Sequence, residues 1–318
     1  MDTLTVGVVQ ATPVFFDLTA TLERVEHWLK QAKSAGCQLV LFPESFIPGY
    51  PRGFTFGSTI GRRTDKGRDL YHKYWENSVS VPGQACERLA SLAKDYDVYL
   101  AIGVTERDDK NGTLYCSLLY FSPEVGLLGK HRKLKPTGIE RLVWGEGQAD
   151  TLISLETKIG RIGGLVCWEN YMPLARMSMY QAGVQIYLAP TADARENWIA
   201  TMQHIALEGR CFVLGCNQFF RQQDYPETYR TYINWEADDF CRGGSVIVGP
   251  DGNLLEGPVY DQQALLIARI DLDETVKQKM DFDVTGHYAR PDVFNYSINP
   301  TPPVIKEIDL LNDDSGTD

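Results

Sequence analysis

The sequence has no long apolar run. None of its hydrophobic stretches approaches the ~20 residues that a membrane-spanning helix requires, so no membrane partner is expected. Positive charge is short. Lysine and arginine number 31 against 42 acidic residues, a formal charge of −11. No basic cluster with interleaved aromatics offsets that balance, which argues against nucleic acid or an anionic membrane surface as a partner. Histidine is scarce, at five residues, and no HxxxH or CxxC pair offers zinc spacing. The seven cysteines (Cys37, Cys86, Cys116, Cys167, Cys211, Cys216 and Cys241) are odd in number and irregularly spaced, which makes a poor disulfide framework. Reduced thiols, mostly in the core, and a cytoplasmic location are expected. "MDTLTVGVVQ" enters a strand pattern at once, and no signal peptide is read. Gly163-Gly164 lacks the rest of a GxGxxG, so nothing points to a dinucleotide binder.

What is present is an ordinary globular balance over 318 residues, 43% hydrophobic and 23% charged. The pattern repeats. "LTVGVVQ" (4–10) reads as a strand, and Asp17 caps a helix whose Leu22, Val25, Trp28, Leu29 and Ala32 share one face up to Gly36. "QLVLFP" (38–43) reads as a strand buried on both faces. A long irregular stretch runs to about Gly83, followed by a helix over 84–96 and strands over 98–104, 114–122 and 125–133. The second half repeats this order: strand 161–167, helix 171–183, strand 184–190, helix 196–209, strand 211–217, and two strands within 244–256 joined at Pro250-Asp251-Gly252-Asn253. Each half reads β-α-β-α-β-β-β. Strands alternating with helices give mixed sheets covered by helices, and two such halves packed sheet on sheet make an α-β-β-α sandwich with an internal pseudo-two-fold repeat. The linker "GEGQADTLISLETK" (145–158) has strand-like residues and no flexible run, so residues 1–298 are expected to form a single domain, with 299–318 as a frayed acidic tail. Two aromatic-rich insertions, 44–82 and 217–242, interrupt the repeat, and insertions of that length are usually functional or interfacial.

Cys167 closes an apolar run in "GGLVCWENYMPLAR" (163–176) and is either a core thiol or a nucleophile. A nucleophilic thiol needs a base, because free cysteine is only a few per cent ionised at neutral pH. Histidine is the usual partner, but His27 and His204 lie in predicted helices and no strong Cys-His pair stands out. A carboxylate with an ammonium can replace it. Open α/β sheets put their sites at strand ends, and there lie Glu44, directly after "LVLFP", and Lys133, with Glu140 seven residues on. Singly, each also suits a solvated loop or a charged edge.

The four stretches "LFPESFIPGYP", "HRKLKPTGIERLVWGEG", "GRIGGLVCWENYMPLAR" and "GHYARPDVF" together resemble the nitrilase branch of the carbon–nitrogen hydrolase superfamily, over about residues 4–295. The resemblance implies a Glu-Lys-Cys triad at Glu44, Lys133 and Cys167, with Glu140 beside it, on the α-β-β-α fold. It implies hydrolysis of a nitrile to the acid and ammonia through a thioimidate and a thioester, without metal or organic cofactor. The Trp168 backbone N–H is the expected donor to the developing anion. Tyr50, Phe54, Trp144, Trp168, Pro190 and Thr191 are expected to line an apolar pocket. The resemblance also implies self-association, first as a dimer and then as a spiral, with "GHYARPD" (286–292) near the contact. An amidase or a cyanide-degrading enzyme of the same fold is the nearest alternative, and a non-catalytic binding or scaffold protein is the alternative from another class.

Overall fold

The computed structural model describes residues 3–233 and 239–299. The first half begins with β1 (Leu4–Gln10), α1 (Leu18–Ser34) and β2 (Leu39–Leu41). Asp17 caps α1 by accepting a hydrogen bond from the Ala20 N–H at 2.9 Å, as its place before the apolar stripe predicts. The insertion that follows is not wholly irregular: α2 (Asp65–Glu76) lies in it, with Thr64 as its cap. The half then runs through α3 (Gln84–Asp95), β3 (Tyr99–Arg107), β4 (Leu114–Ser122) and β5 (Gly126–Arg132).

The second half opens on β6 (Ser154–Thr157), then β7 (Gly160–Gly164), α4 (Pro173–Gln181), β8 (Ile186–Thr191), α5 (Asn197–Gly209) and β9 (Phe212–Asn217). β10 (Phe219–Arg221), β11 (Asp239–Val248), β12 (Leu254–Tyr260), β13 (Ala264–Ile270) and α6 (Asp273–Lys279) complete it.

The first sheet runs β13-β1-β2-β3-β4-β5, with a short strand, Val79–Ser80, alongside β3. The second runs β6-β7-β8-β9-β11, with β12 and β10 both paired to β11. In each sheet three parallel strands are flanked by antiparallel ones, so the pairing repeats as the sequence predicts. The edge strands β6 and β13 have no place in that reading. β13 is the C-terminal strand, yet it pairs with β1 of the first half over Leu4↔Ile270 to Gln10↔Ala264.

Three apolar clusters define four layers. Alternation along the strands sends Leu39 and Leu41 to the cluster between the sheets, where they join Ile186, Leu188 and Leu214. Val40 points the other way and packs with Val25 and Leu29 of α1 and Leu89 and Leu92 of α3. On the far side Met179 of α4 and Met202 and Ile205 of α5 cover Tyr187 and Val213. Each such side chain, fully removed from water, contributes about 1.5–3 kcal/mol. The architecture is therefore the α-β-β-α sandwich.

The two insertions pack against one another. Phe54 meets Tyr225 edge-on and bridges to Ile233, while Phe16, which packs on Phe54 and Tyr74, meets Tyr229, and Phe56 stacks behind Phe54 and Tyr74 in tilted contacts. Residues 234–238 of the second insertion and 300–318 of the C-terminal tail lie outside the described residues.

Candidate active site

The site collects at the strand ends of both sheets. Glu44 follows β2, and the chain there passes so close to β3 that Gly103 has no room for a side chain. A Cβ at Gly103 would stand 2.6 Å from the Glu44 Cα and 2.7 Å from the Ser45 nitrogen, and closer still to the Pro43 carbonyl. Ser45 adopts a left-handed backbone, φ 46°. Lys133 follows β5 and is tied by its N–H to the Cys116 carbonyl at 2.8 Å. Cys167 lies past the end of β7, in a 3-10 turn rather than in the strand (Cys167–Tyr171). Its φ of 53° is costly for a residue with a side chain, and such strain concentrates at functional sites. The Asn170 amide holds the turn by donating to the carbonyls of Leu165 at 3.0 Å and Cys167 at 2.8 Å.

These three segments bring Glu44, Lys133, Glu140 and Cys167 into one buried cluster. Lys133 Nζ donates to Glu44 Oε1 and to Glu140 Oε2, at 2.7 Å each. Glu140 is fixed further by the Tyr50 hydroxyl, 2.6 Å from Oε1, and by the Thr137 N–H, 2.6 Å from Oε2. Thr191, the last residue of β8, donates its hydroxyl to Cys167 Sγ at 3.1 Å. Glu44 Oε2 is buried with no hydrogen-bond partner among the described residues, which leaves it open to receive a proton.

Burial dominates the electrostatics. It pushes the Cys167 thiol well up, and the Glu44 charge adds to this, while Lys133 and the Thr191 hydroxyl oppose it. At rest the residue is therefore a thiol. Burial also raises Glu44, outweighing the pull of Lys133, and the Glu140 charge adds to the rise. For Lys133 burial works against the charge, but Glu44, Cys167 and Glu140 overcome it and hold the ammonium charged. The Tyr50 phenol is held well up by burial and then by Glu140, so it stays a donor.

Two adjoining cavities share Tyr50, Arg52 and Glu140. The first, about 360 Å³, is apolar, with Phe54, Ile139, Val143 and Trp144 in its walls. The second, about 440 Å³, reaches Cys167 and is the more polar of the two, with Trp168, Asp193, Arg195 and Arg242 in its walls. Trp168 donates its ring N–H to Asp193 at 2.8 Å, and Arg195 pairs with the same carboxylate. Among the described residues no acceptor takes the Trp168 backbone N–H. The sequence-predicted pocket residues therefore divide. Tyr50, Trp168 and Thr191 meet the cluster or its cleft, while Phe54 and Trp144 wall the apolar cavity. Pro190 is buried in β8, paired opposite Cys216, and lines neither cavity. The arginines and Asp193 were not read from the sequence, because nothing in their spacing separates them from solvated loop charges.

A cysteine in a left-handed turn, facing a lysine held between two glutamates at the strand ends of an α-β-β-α sandwich, defines a class of protein by fold and site together. The chain belongs to the carbon–nitrogen hydrolase family, which it matches over residues 5–280. It is 51% identical over 310 residues to a bifunctional nitrilase/nitrile hydratase of Lupinus angustifolius, covering 95% of this chain and 88% of that one. It is 48% identical over 297 residues to an aliphatic nitrilase of Sinorhizobium fredii, covering 93% and 96%. Among solved structures it resembles a carbon–nitrogen hydrolase of Helicobacter pylori, with TM-score 0.73 at 21% identity over 92% of this chain and 97% of the other. A branch 10 member of the nitrilase superfamily from Saccharomyces cerevisiae gives TM-score 0.72 at 19% identity, covering 90% and 96%. At those identities the two structures speak for the fold.

Proposed function

We propose that the protein hydrolyses a nitrile to the carboxylic acid and ammonia through covalent intermediates on Cys167, within one catalytic domain over residues 1–298. The observation that carries this reading is the buried Glu44–Lys133–Glu140 chain beside the Cys167 thiol, at the floor of an open cleft. Relatives named as nitrilases, at about half identity, support the nitrile as substrate.

A nitrile carbon is a weak electrophile, and the resting thiol is a weak nucleophile. Both are overcome if the proton leaves as the S–C bond forms. Glu44 takes the Cys167 proton and the sulfur adds to the nitrile carbon. The same proton passes to the nitrogen, giving a neutral thioimidate. Lys133 offsets the anion that develops, and the Trp168 N–H is placed to do the same. Water then adds, with Glu44 as base, and the nitrogen takes a second proton. The hydroxyl of this tetrahedral intermediate then gives up its proton, which Glu44 passes to nitrogen as the third, and ammonia departs with the C–N electron pair, leaving a thioester. A second water releases the acid and restores the thiol. Glu140 breaks no bond; it fixes Lys133 between two carboxylates.

Two relatives of this chain that are named bifunctional, from Lupinus angustifolius and Nicotiana tabacum, favour a second outlet. The tetrahedral intermediate can expel the Cys167 thiolate instead of ammonia, which gives the amide. A difference of about 1.4 kcal/mol between the two barriers sets a tenfold ratio. Acid is the expected main product for unhindered substrates. Electron-withdrawing groups beside the nitrile raise the amide share, because they disfavour protonation of nitrogen. The test is a panel of aromatic, arylaliphatic and aliphatic nitriles and their amides, with ammonia, acid and amide quantified. Turnover of amides or cyanide with no nitrile accepted would overturn the reading.

A further inference from the structure

Glu169, two residues after the nucleophile, is buried as deeply as the catalytic cluster, and the mechanism above gives it nothing to do. Its two oxygens are spoken for by two different stretches of chain. Oε1 accepts from the Leu134 N–H at 2.6 Å, and Oε2 accepts from the Val166 N–H at 2.7 Å. Leu134 is the residue after Lys133, and Val166 is the residue before Cys167. Lys133 comes from the first sheet and Cys167 from the second, so one carboxyl group bridges the backbones of both across the sandwich. His131, also buried, closes the arrangement: its Nε2 lies 3.0 Å from Glu169 Oε2 and 3.2 Å from Oε1. Its Nδ1 lies 2.9 Å from the Thr151 carbonyl, which can only accept, so Nδ1 carries a proton.

We propose that Glu169, with His131 behind it, is a positioning residue that sets the separation of the Cys167 turn from the Lys133 segment. The proposal rests on the reading of Cys167 and Lys133 as the reacting pair. A backbone N–H donor on each oxygen is the pattern of a carboxylate, and its charge strengthens both bonds over a neutral acceptor. No other side chain among the described residues accepts from the backbone N–H groups of both segments. The Glu169 charge also raises His131 against the opposing effect of burial. The geometry thus holds the Lys133 ammonium and the Cys167 sulfur in register by a bridge that touches neither of them. The substituted amide of Glu169→Gln cannot keep the bridge. One of its termini is an NH2, which would face a backbone N–H, and that segment loses its acceptor.

The test compares Glu169→Gln and His131→Gln with the wild type by three readings. These are kcat and KM on one nitrile, the rate at which iodoacetamide alkylates Cys167 as followed by peptide mass, and the circular dichroism spectrum. A displacement of about 1 Å costs on the order of 10²-fold in rate, so Glu169→Gln should remain folded, lose about that factor in kcat with little change in KM, and alkylate at Cys167 at an altered rate. His131→Gln should fall between it and the wild type. A purely structural role would instead lower the melting temperature and leave kcat and the alkylation rate of the folded protein unchanged, and that result overturns the proposal. If Glu169→Gln does not fold, His131→Gln decides by the same two rates. Should the wild type turn over no nitrile, the proposed function fails while the alkylation rates still test the bridge.

Discussion

Thr191 and Glu140 show how far single side chains set the chemistry. The Thr191 hydroxyl donates to Cys167 Sγ at 3.1 Å, and it also accepts from the Asp193 N–H at 3.0 Å. Thr191→Val keeps the shape and removes both bonds. It should lower kcat by roughly tenfold or more, since a thiol already raised by burial loses a donor that favours its thiolate. Thr191→Ser should restore most of the loss, and steady-state kinetics on one nitrile checks both. Glu140 contributes a negative charge that raises Glu44. As the proposed base, Glu44 would act only when ionised, so activity is expected to fall as pH drops through its raised folded-state pKa. Glu140→Gln removes part of the cause of that rise. Its acidic limb in kcat/KM should therefore move to lower pH, while kcat falls on the order of 10² as Lys133 loses a partner. A limb that stays in place or moves up contradicts the assignment of Glu44 as base. The four central residues were legible in the sequence because each sits in a dense local motif. Glu169 stood in plain view in "CWEN", but two of its three partners, the Leu134 N–H and His131, lie over thirty residues away and meet it only through packing.

At the scale of elements, period-two alternation and glycine stops marked the strands and helices of both halves, because those segments are buried on defined faces. The C-terminal strand β13 alternates just as clearly, with Leu266, Ala268 and Ile270 inward, but the repeat offers it no position, since its partner β1 lies at the other end of the chain. α2 was hidden for a different reason. Only Gly67, Leu70 and Tyr74 are buried along its twelve residues, too thin a stripe to stand out in sequence. The strand-end turn at Glu44 gives a test of its own. Gly103→Ala forces a Cβ into the backbone of Pro43, Glu44 and Ser45. It should cost about 1–3 kcal/mol in unfolding free energy by urea denaturation. It should also lower kcat, because the displaced segment carries Glu44, the proposed base. Unchanged kcat with full stability would show that the Glu44 turn accommodates the methyl and that its placement is not tight.

At the scale of the whole molecule, several rings of the aromatic insertions pack within the chain itself. The sequence argues that they are too apolar to face water and so need a partner chain. Phe54, Phe56 and Tyr225 are instead buried against one another within the chain. Among the described residues, exposed apolar side chains include Ile60 of the first insertion, and a separate face is formed by Leu174 of α4 with Val293 and Phe294 of the C-terminal stretch, whose Tyr296 reaches the Leu174 carbonyl. Self-association, first as a dimer, is therefore proposed through this face. Light scattering should give a mass at least twice 35.8 kDa, and Leu174→Asp should lower it. An active monomer would refute the proposal.

Cys167 is the residue on which the proposed chemistry turns most directly. The protein is expected to lose ammonia release from a good nitrile by about 10⁴-fold or more in Cys167→Ala, with its circular dichroism unchanged, because among the described residues no other thiol lines the cleft to form the proposed thioimidate. A folded Cys167→Ala protein that turns the nitrile over at a rate near that of the wild type would contradict the account.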